Sequence, residues 1–127
     1  MSHIKATNTE PEIIVRSMLH GAGYRFRIHK KDLPGKPDIV LPKYGVVIFV
    51  NGCFWHQHKG CKRASIPHSN LNYWLPKLNR NLLRYKQVTS KLRKLGWRVV
   101  TIWECQTRDK AKLRTKIDSI FNKDKPK

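Results

Sequence analysis

A chain of 127 residues with 39% hydrophobic content can bury one core of ordinary size and is too short for two independent ones, so a single domain over 1–127 is expected. Lys and Arg number 27 against 8 Asp and Glu, a formal charge of +19; this is far more than solubility requires and marks a polyanion as the partner. No apolar run approaches the ~20 residues of a membrane span and no signal-peptide core opens the chain. Membrane-spanning and secreted classes are thereby set aside in favour of a cytoplasmic protein.

The charge is unevenly placed. No acidic residue stands between Asp38 and Glu104, a stretch carrying twelve Lys or Arg from Lys43 to Arg98. Such a surface attracts phosphate, and its binding should weaken steeply with salt. A ribosomal or membrane-surface protein can show the same bias, so charge alone points to nucleic acid only as a class. The cysteines are three, an odd number that fits metal ligation in a reducing compartment better than a disulfide framework.

In chain order, a first helix is expected to begin at "TEPE", where Thr9 and Glu12 have capping-box spacing and Pro11 suits a first turn. Ile13, Ile14, Val15, Met18 and Leu19 follow, and Gly21 or Gly23 should end it. "YRFRIH" (24 to 29) alternates like an edge strand, and "LPGKPD" must turn. Ile39 to Leu41 and Val46 to Val50 read as two strands joined by a hairpin turn at "PKYG"; the second is apolar throughout and should lie centrally, covered on both faces. A helical region from about Leu71 to Leu95 should be interrupted near Pro76 and stopped by Gly96. Leu78, Leu82, Leu83, Val88, Leu92 and Leu95 are its candidate core face. "WRVVTIW" (97 to 103) is a further buried strand, residues 110 to 121 a last amphipathic helix, and about 122–127 a basic tail. Strands flanked by helices imply a three-layer α/β/α sandwich with a mixed central sheet.

Just past the central strand stands "NGCFWHQHKGC". Structural zinc takes four Cys or His ligands in a tetrahedron, often a local group closed by a distant residue. Cys53, His58 and Cys61 form the local group, and Cys105, just past the last strand, can close it. His56 is also near enough in sequence to ligate. A full set of three Cys and one His leaves no open position, which reads as a structural rather than a catalytic zinc.

Asp38 opens a strand after "PGKP". A Pro-Asp at that point resembles the first half of the restriction-type nuclease motif, in which the carboxylate holds Mg²⁺ beside the scissile phosphate; capping of the turn after Pro37 is the plainer role. The second half of that motif, an acid, one residue, then Lys, is absent. The ordered set "LPGKPDIV", "VVIFVNGCFWHQH", "YW" (73 to 74) and "LGWRVVTIWEC" is similar to the very short patch repair endonucleases, over residues 1 to about 108.

That resemblance implies a bacterial, nucleoid-associated enzyme of restriction-endonuclease-like fold, with structural Zn²⁺ and catalytic Mg²⁺, nicking double-stranded DNA 5′ to the T of T:G mismatches as a monomer, with downstream repair proteins as possible partners. It implies that Asp38 binds Mg²⁺, that Val50 lends the metal its backbone carbonyl, that His56 is the catalytic histidine and that Glu12 approaches the metals through water. Thr9's capping box is the competing role for Glu12. Cys53, His58, Cys61 and Cys105 match the zinc ligands, while Met1, Phe54, Trp55, Trp74 and Lys36 match DNA contacts, the first three as wedges between base steps. Asn51 departs from the pattern, standing where many members carry a second histidine. Cys61 lies one residue further from Cys53 than is usual, and the family's helix upstream of position 1 is expected to be curtailed. Two competing classes are a zinc-stabilised DNA-binding protein without catalysis and a related nicking nuclease of a restriction or mobile-element system.

Overall fold

A computed structural model describes residues 9–28, 30, 32–53, 57–58, 60–61, 69 and 71–122. Helix α1 spans Glu10–Gly21, with Pro11 in its first turn and the Thr9 hydroxyl accepting from the Glu12 amide at 3.4 Å. It ends where Gly23, at φ +87°, lets the chain reverse: Gly23 N bonds His20 O and Tyr24 N bonds Leu19 O, both at 3.0 Å. This is the paired closure that a left-handed glycine after the cap permits.

Strands β1 (Arg27–Ile28), β2 (Ile39–Leu41), β3 (Val46–Asn51) and β4 (Arg98–Trp103) form one sheet in sequence order. The first two pairings are antiparallel and β3–β4 is parallel, so the sheet is mixed, as expected. The edge strand is shorter than the alternation of residues 24 to 29 suggests. Its partner β2 stops at Leu41 because Pro42 starts a short 3-10 turn, Pro42–Tyr44, and the ladder therefore closes after Arg27↔Val40. Tyr24 and Phe26 turn into the core instead, Tyr24 stacking on Phe121 at 4.0 Å. "PKYG" makes the hairpin as read, with Gly45 left-handed at φ +66°.

Alternation along β3 divides the core. Val46 and Ile48 join Val15, Leu19, Leu113 and Ile117 on one face, where α1 and α3 (Lys110–Asn122) pack. Val47 and Phe49 meet Leu92 of α2 (Leu71–Lys94) on the other. These are the three layers, with β3 covered on both faces. β4 is the edge partner of β3 among the described residues; it is mostly half-buried, with Ile102 fully so.

Helix α2 differs from expectation twice. It runs through Pro76 unbroken; a proline this near the helix start removes a single backbone bond, and the turns beyond carry the element. Leu82, Leu83 and Leu95 are 40%, 58% and 63% exposed. The inward stripe is Leu78, Tyr85, Val88 and Leu92, because a sheet this narrow meets a single row of side chains. No described helix is long and apolar enough to cross a membrane.

Gly35, at φ +72°, seats the "LPGKPD" loop on α2: an added Cβ would lie 2.1 Å from Val88 Cγ1. Gly35→Ala should therefore destabilise the fold by about 1–3 kcal/mol through overpacking. Thermal melts would show it as a Tm fall of roughly 5 °C or more; an unchanged Tm would mean that the loop moves away from α2 without cost.

Candidate functional site

The parallel register sets Asn51 beside Trp103, so Cys53 and Cys105, each two residues further on, emerge together from neighbouring strands. A tight loop returns two more donors. His58 N bonds Cys53 O at 2.9 Å and Cys61 N bonds His58 O at 3.3 Å, with Gln57 and Gly60 in the left-handed region at φ +48° and +74°. The ligand atoms of Cys53, His58, Cys61 and Cys105 all lie within 4.8 Å of one another. His58 Nδ1 is 3.7 Å from Cys53 Sγ and 3.5 Å from Cys105 Sγ. A tetrahedron with ordinary Zn–S and Zn–N lengths has an S···N edge of about 3.6 Å, so the four donors fit a single four-coordinate metal of that size.

The electrostatics agree. Burial pushes the Cys53 thiol up to about 12; a backbone hydrogen bond from Cys105 opposes this, while the Cys105 and Cys61 thiols reinforce it. A cation bound among these donors would be what holds the cysteines as thiolates. The His58 ring lies flat on Trp103, centroids 4.1 Å apart and planes 6° from parallel, and Glu104 Oε1 accepts from Cys53 N at 3.4 Å. Both contacts fix the orientation of ligands from outside the set, as supports of a metal site commonly do.

Asp38 stands one residue before β2. By strand parity with Val40 it faces α2, and its Oδ2 accepts from Val50 N at 2.7 Å. Asn51 shares that face with Phe49 and is 4% exposed; its Nδ2 has no hydrogen-bond partner. Tyr85 crosses above them from α2, its ring edge-on to Phe49 at 5.3 Å and its hydroxyl hydrogen-bonded to Thr101 of β4. Beside this corner an open cavity of about 710 Å³ lies between α2 and the metal cluster, lined by Gln57, His58, Leu82, Leu83, Tyr85, Lys86 and Trp103. Mg²⁺ typically takes one or two carboxylates and fills its remaining positions with water and substrate phosphate. Asp38 at a strand end is a donor of that type.

Glu12 is 1% exposed and pairs with Arg16 at 3.5 Å; its helix packs on the face opposite α2. Among the described residues no cluster of three or more metal-type side chains joins it to Asp38. Val50 is half-buried, and Trp74 is half-buried against Tyr73 at 4.9 Å. Lys36 is exposed, with its backbone at φ +48°. Met1, Phe54, Trp55 and His56 lie outside the described residues. Trp103, Glu104 and Thr101 fall within "LGWRVVTIWEC", and Tyr85 within the long helix, yet nothing in the sequence assigns any of the four a role at the site. For the first two the signal that could have found them is adjacency to Cys105; Tyr85 carries none and stands outside the expected core face of α2.

The exposed side of α2 carries Lys77, Arg80, Arg84, Lys86, Lys91, Arg93 and Lys94 and no acid, so the helix beside the corner is strongly cationic.

Residues 1–63 match the family described as DNA mismatch endonuclease Vsr. The chain is 46% identical over 122 residues to the type II nicking enzyme V.XorIIP of Xanthomonas oryzae, covering 96% of this chain and 89% of that protein. It is 40% identical over 120 residues to the type II nicking enzyme V.NmeAIP of Neisseria meningitidis, covering 94% and 85%. It is 41% identical over 113 residues to the DNA mismatch endonuclease Vsr of Escherichia coli, covering 89% and 72%.

Proposed function

The chain belongs to the Vsr family of DNA mismatch endonucleases, and we propose that it is a Mg²⁺-dependent endonuclease that nicks one strand of duplex DNA 5′ to the T of a T:G mismatch. The observation that carries this reading is Asp38, aimed by the Val50 amide at 2.7 Å into a corner flanked by a Cys3His cluster and the cationic helix α2. Asp38 and the Val50 carbonyl would hold Mg²⁺, which would supply charge neutralisation at phosphorus and at the departing oxygen. His56 accepts a proton from the attacking water. The water oxygen bonds to phosphorus, the P–O3′ bond breaks, and 5′-phosphate and 3′-hydroxyl ends remain. Glu12 orders water near the metal. Zn²⁺ in the Cys53, His58, Cys61 and Cys105 set is structural and pins the loop that carries His56. Lys36 and Trp74 contact DNA together with Met1, Phe54 and Trp55. The protein works as a monomer and a single domain in the bacterial cytoplasm, on the nucleoid, ahead of repair proteins that process the nick.

The deciding experiment compares duplexes differing only by T:G against C:G, with Mg²⁺ or with EDTA. Nicking of the T:G duplex in Mg²⁺ alone is expected; equal nicking of both duplexes would instead support a nicking nuclease of a restriction or mobile-element system. That second reading is favoured by the two relatives named type II nicking enzymes.

Phe54→Ala combined with Trp55→Ala should reduce discrimination between the two duplexes more than overall affinity. Aromatic wedges unstack a base step at a cost of ~a few kcal/mol, least where pairing is already poor, whereas Lys and Arg maintain the salt-dependent part. Competition binding would reveal equal losses on both duplexes if the pair merely packs beneath the loop.

A further inference from the structure

The reaction proposed above leaves two observations unused: a buried amide donor without an acceptor, and a half-buried tyrosine hydroxyl on the same side of the sheet. Asn51 is 4% exposed and its Nδ2 makes no hydrogen bond. An unmade bond at a buried donor costs roughly 1–3 kcal/mol, so a native fold that keeps one calls for an explanation such as a ligand. The rest of the neighbourhood is rigid. Asn51 ends β3 paired with Trp103, two residues ahead of the metal cluster, and Thr101, one position back on the same face of β4, holds the Tyr85 hydroxyl. The edge-on contact with Phe49 fixes the ring of Tyr85.

We propose that Tyr85, anchored on Thr101, is a positioning residue that holds the Asn51 carboxamide so that its N–H donates to a non-bridging phosphate oxygen of the DNA strand bound at Asp38. Phe49 and Asn51 share one face of β3, so the Tyr85 ring on Phe49 and its hydroxyl on Thr101 stand on the side of the sheet that carries the Asn51 carboxamide, whose Nδ2 makes no hydrogen bond. The amide therefore lies on the Tyr85 side of the sheet with a donor open to an acceptor. Burial pushes the phenol up; the hydrogen bond with Thr101 opposes this, and the Asp38 carboxylate reinforces it. Tyr85 thus stays a neutral hydroxyl and takes no proton in the reaction. A carboxamide likewise carries no titratable proton at neutral pH. Its contribution is a fixed dipole directed at the charge that develops on phosphate oxygen, the type of donor whose removal costs about 10²–10³-fold in rate.

The inference rests on the proposed nicking reaction, and its test keeps the two separable. Single-turnover nicking would be measured for wild type, Tyr85→Phe, Thr101→Val, Asn51→Ala and the Tyr85→Phe/Asn51→Ala double variant. Tyr85→Phe keeps the ring and deletes only the hydroxyl; it should lower kcat about tenfold, as loss of a support to a site residue typically does, with KM unchanged. Thr101→Val should reproduce it, and Tyr85→Phe should add nothing in the Asn51→Ala background. Full activity in Tyr85→Phe, or losses that multiply in the double variant, would overturn the assignment. A second readout needs no activity: in ¹⁵N-labelled protein, the side-chain amide pair that vanishes in Asn51→Ala should shift and exchange faster with solvent in Tyr85→Phe. A wild type that nicks no duplex refutes the reaction. The amide pair then decides the positioning, with a shift supporting it and unmoved resonances overturning it.

Discussion

Asp38→Asn is expected to lower the nicking rate in Mg²⁺ by on the order of 10³-fold while leaving duplex affinity and Tm near wild type. The substitution exchanges a hard anionic oxygen for a neutral amide of the same size. The Val50 amide, which donates to Oδ2 at 2.7 Å, still finds an acceptor in the carboxamide oxygen, so the strand end stays closed. What disappears is the negative charge that a divalent ion needs, and metal-assisted stabilisation of the transition state amounts to several kcal/mol, hence about three decades in rate. Binding depends instead on cations such as those of α2, none of which is touched. Rates and equilibrium binding measured on the same T:G duplex decide the matter: a variant nicking within tenfold of wild type would remove Asp38 from the active site.

Cys105→Ser should release the metal and lower Tm by on the order of 10 °C, since metal binding at such a site is linked directly to folding. Serine is close in size but is a poor ligand when neutral, and its loss leaves three donors, all from residues 53 to 61. The set then lacks the tie between β3 and β4 that the 3.5 Å approach of Cys105 Sγ to His58 Nδ1 represents. Metal analysis of the purified proteins, with melts in zinc and in chelator, provides the check. Wild-type protein that purifies without a stoichiometric metal and melts identically in chelator would refute the role.

Much of the scaffold was legible in the sequence because it rests on local rules. Thr9 and Glu12 announced the start of α1, Gly45 the hairpin, and the unbroken apolar run from Val46 the central strand. The Cys/His set was legible because its ligand types are few and its spacing is particular. Less legible was anything decided by the width of the sheet. Leu82 and Leu83 have the periodicity of core residues, but α2 meets too little sheet to cover them. Tyr24 and Phe26 alternate like strand residues, but Pro42 cuts their partner short. Tyr85 and Thr101 are separated by half a helix and a turn, and nothing along the chain indicates that their hydroxyls meet.

The parallel register of β3 and β4 has a consequence for the order in which the molecule assembles. Residues 53 to 61 supply three ligands on a short loop, whereas the fourth stands at 105, after the whole of α2. Closing so long a loop is entropically slow, and it is accomplished by strand pairing, not by the ion. Four-coordinate binding is therefore a late event, available only to chains whose sheet has already formed. A metal held by all four residues would act as a latch on a built fold and not as the seed from which the fold grows.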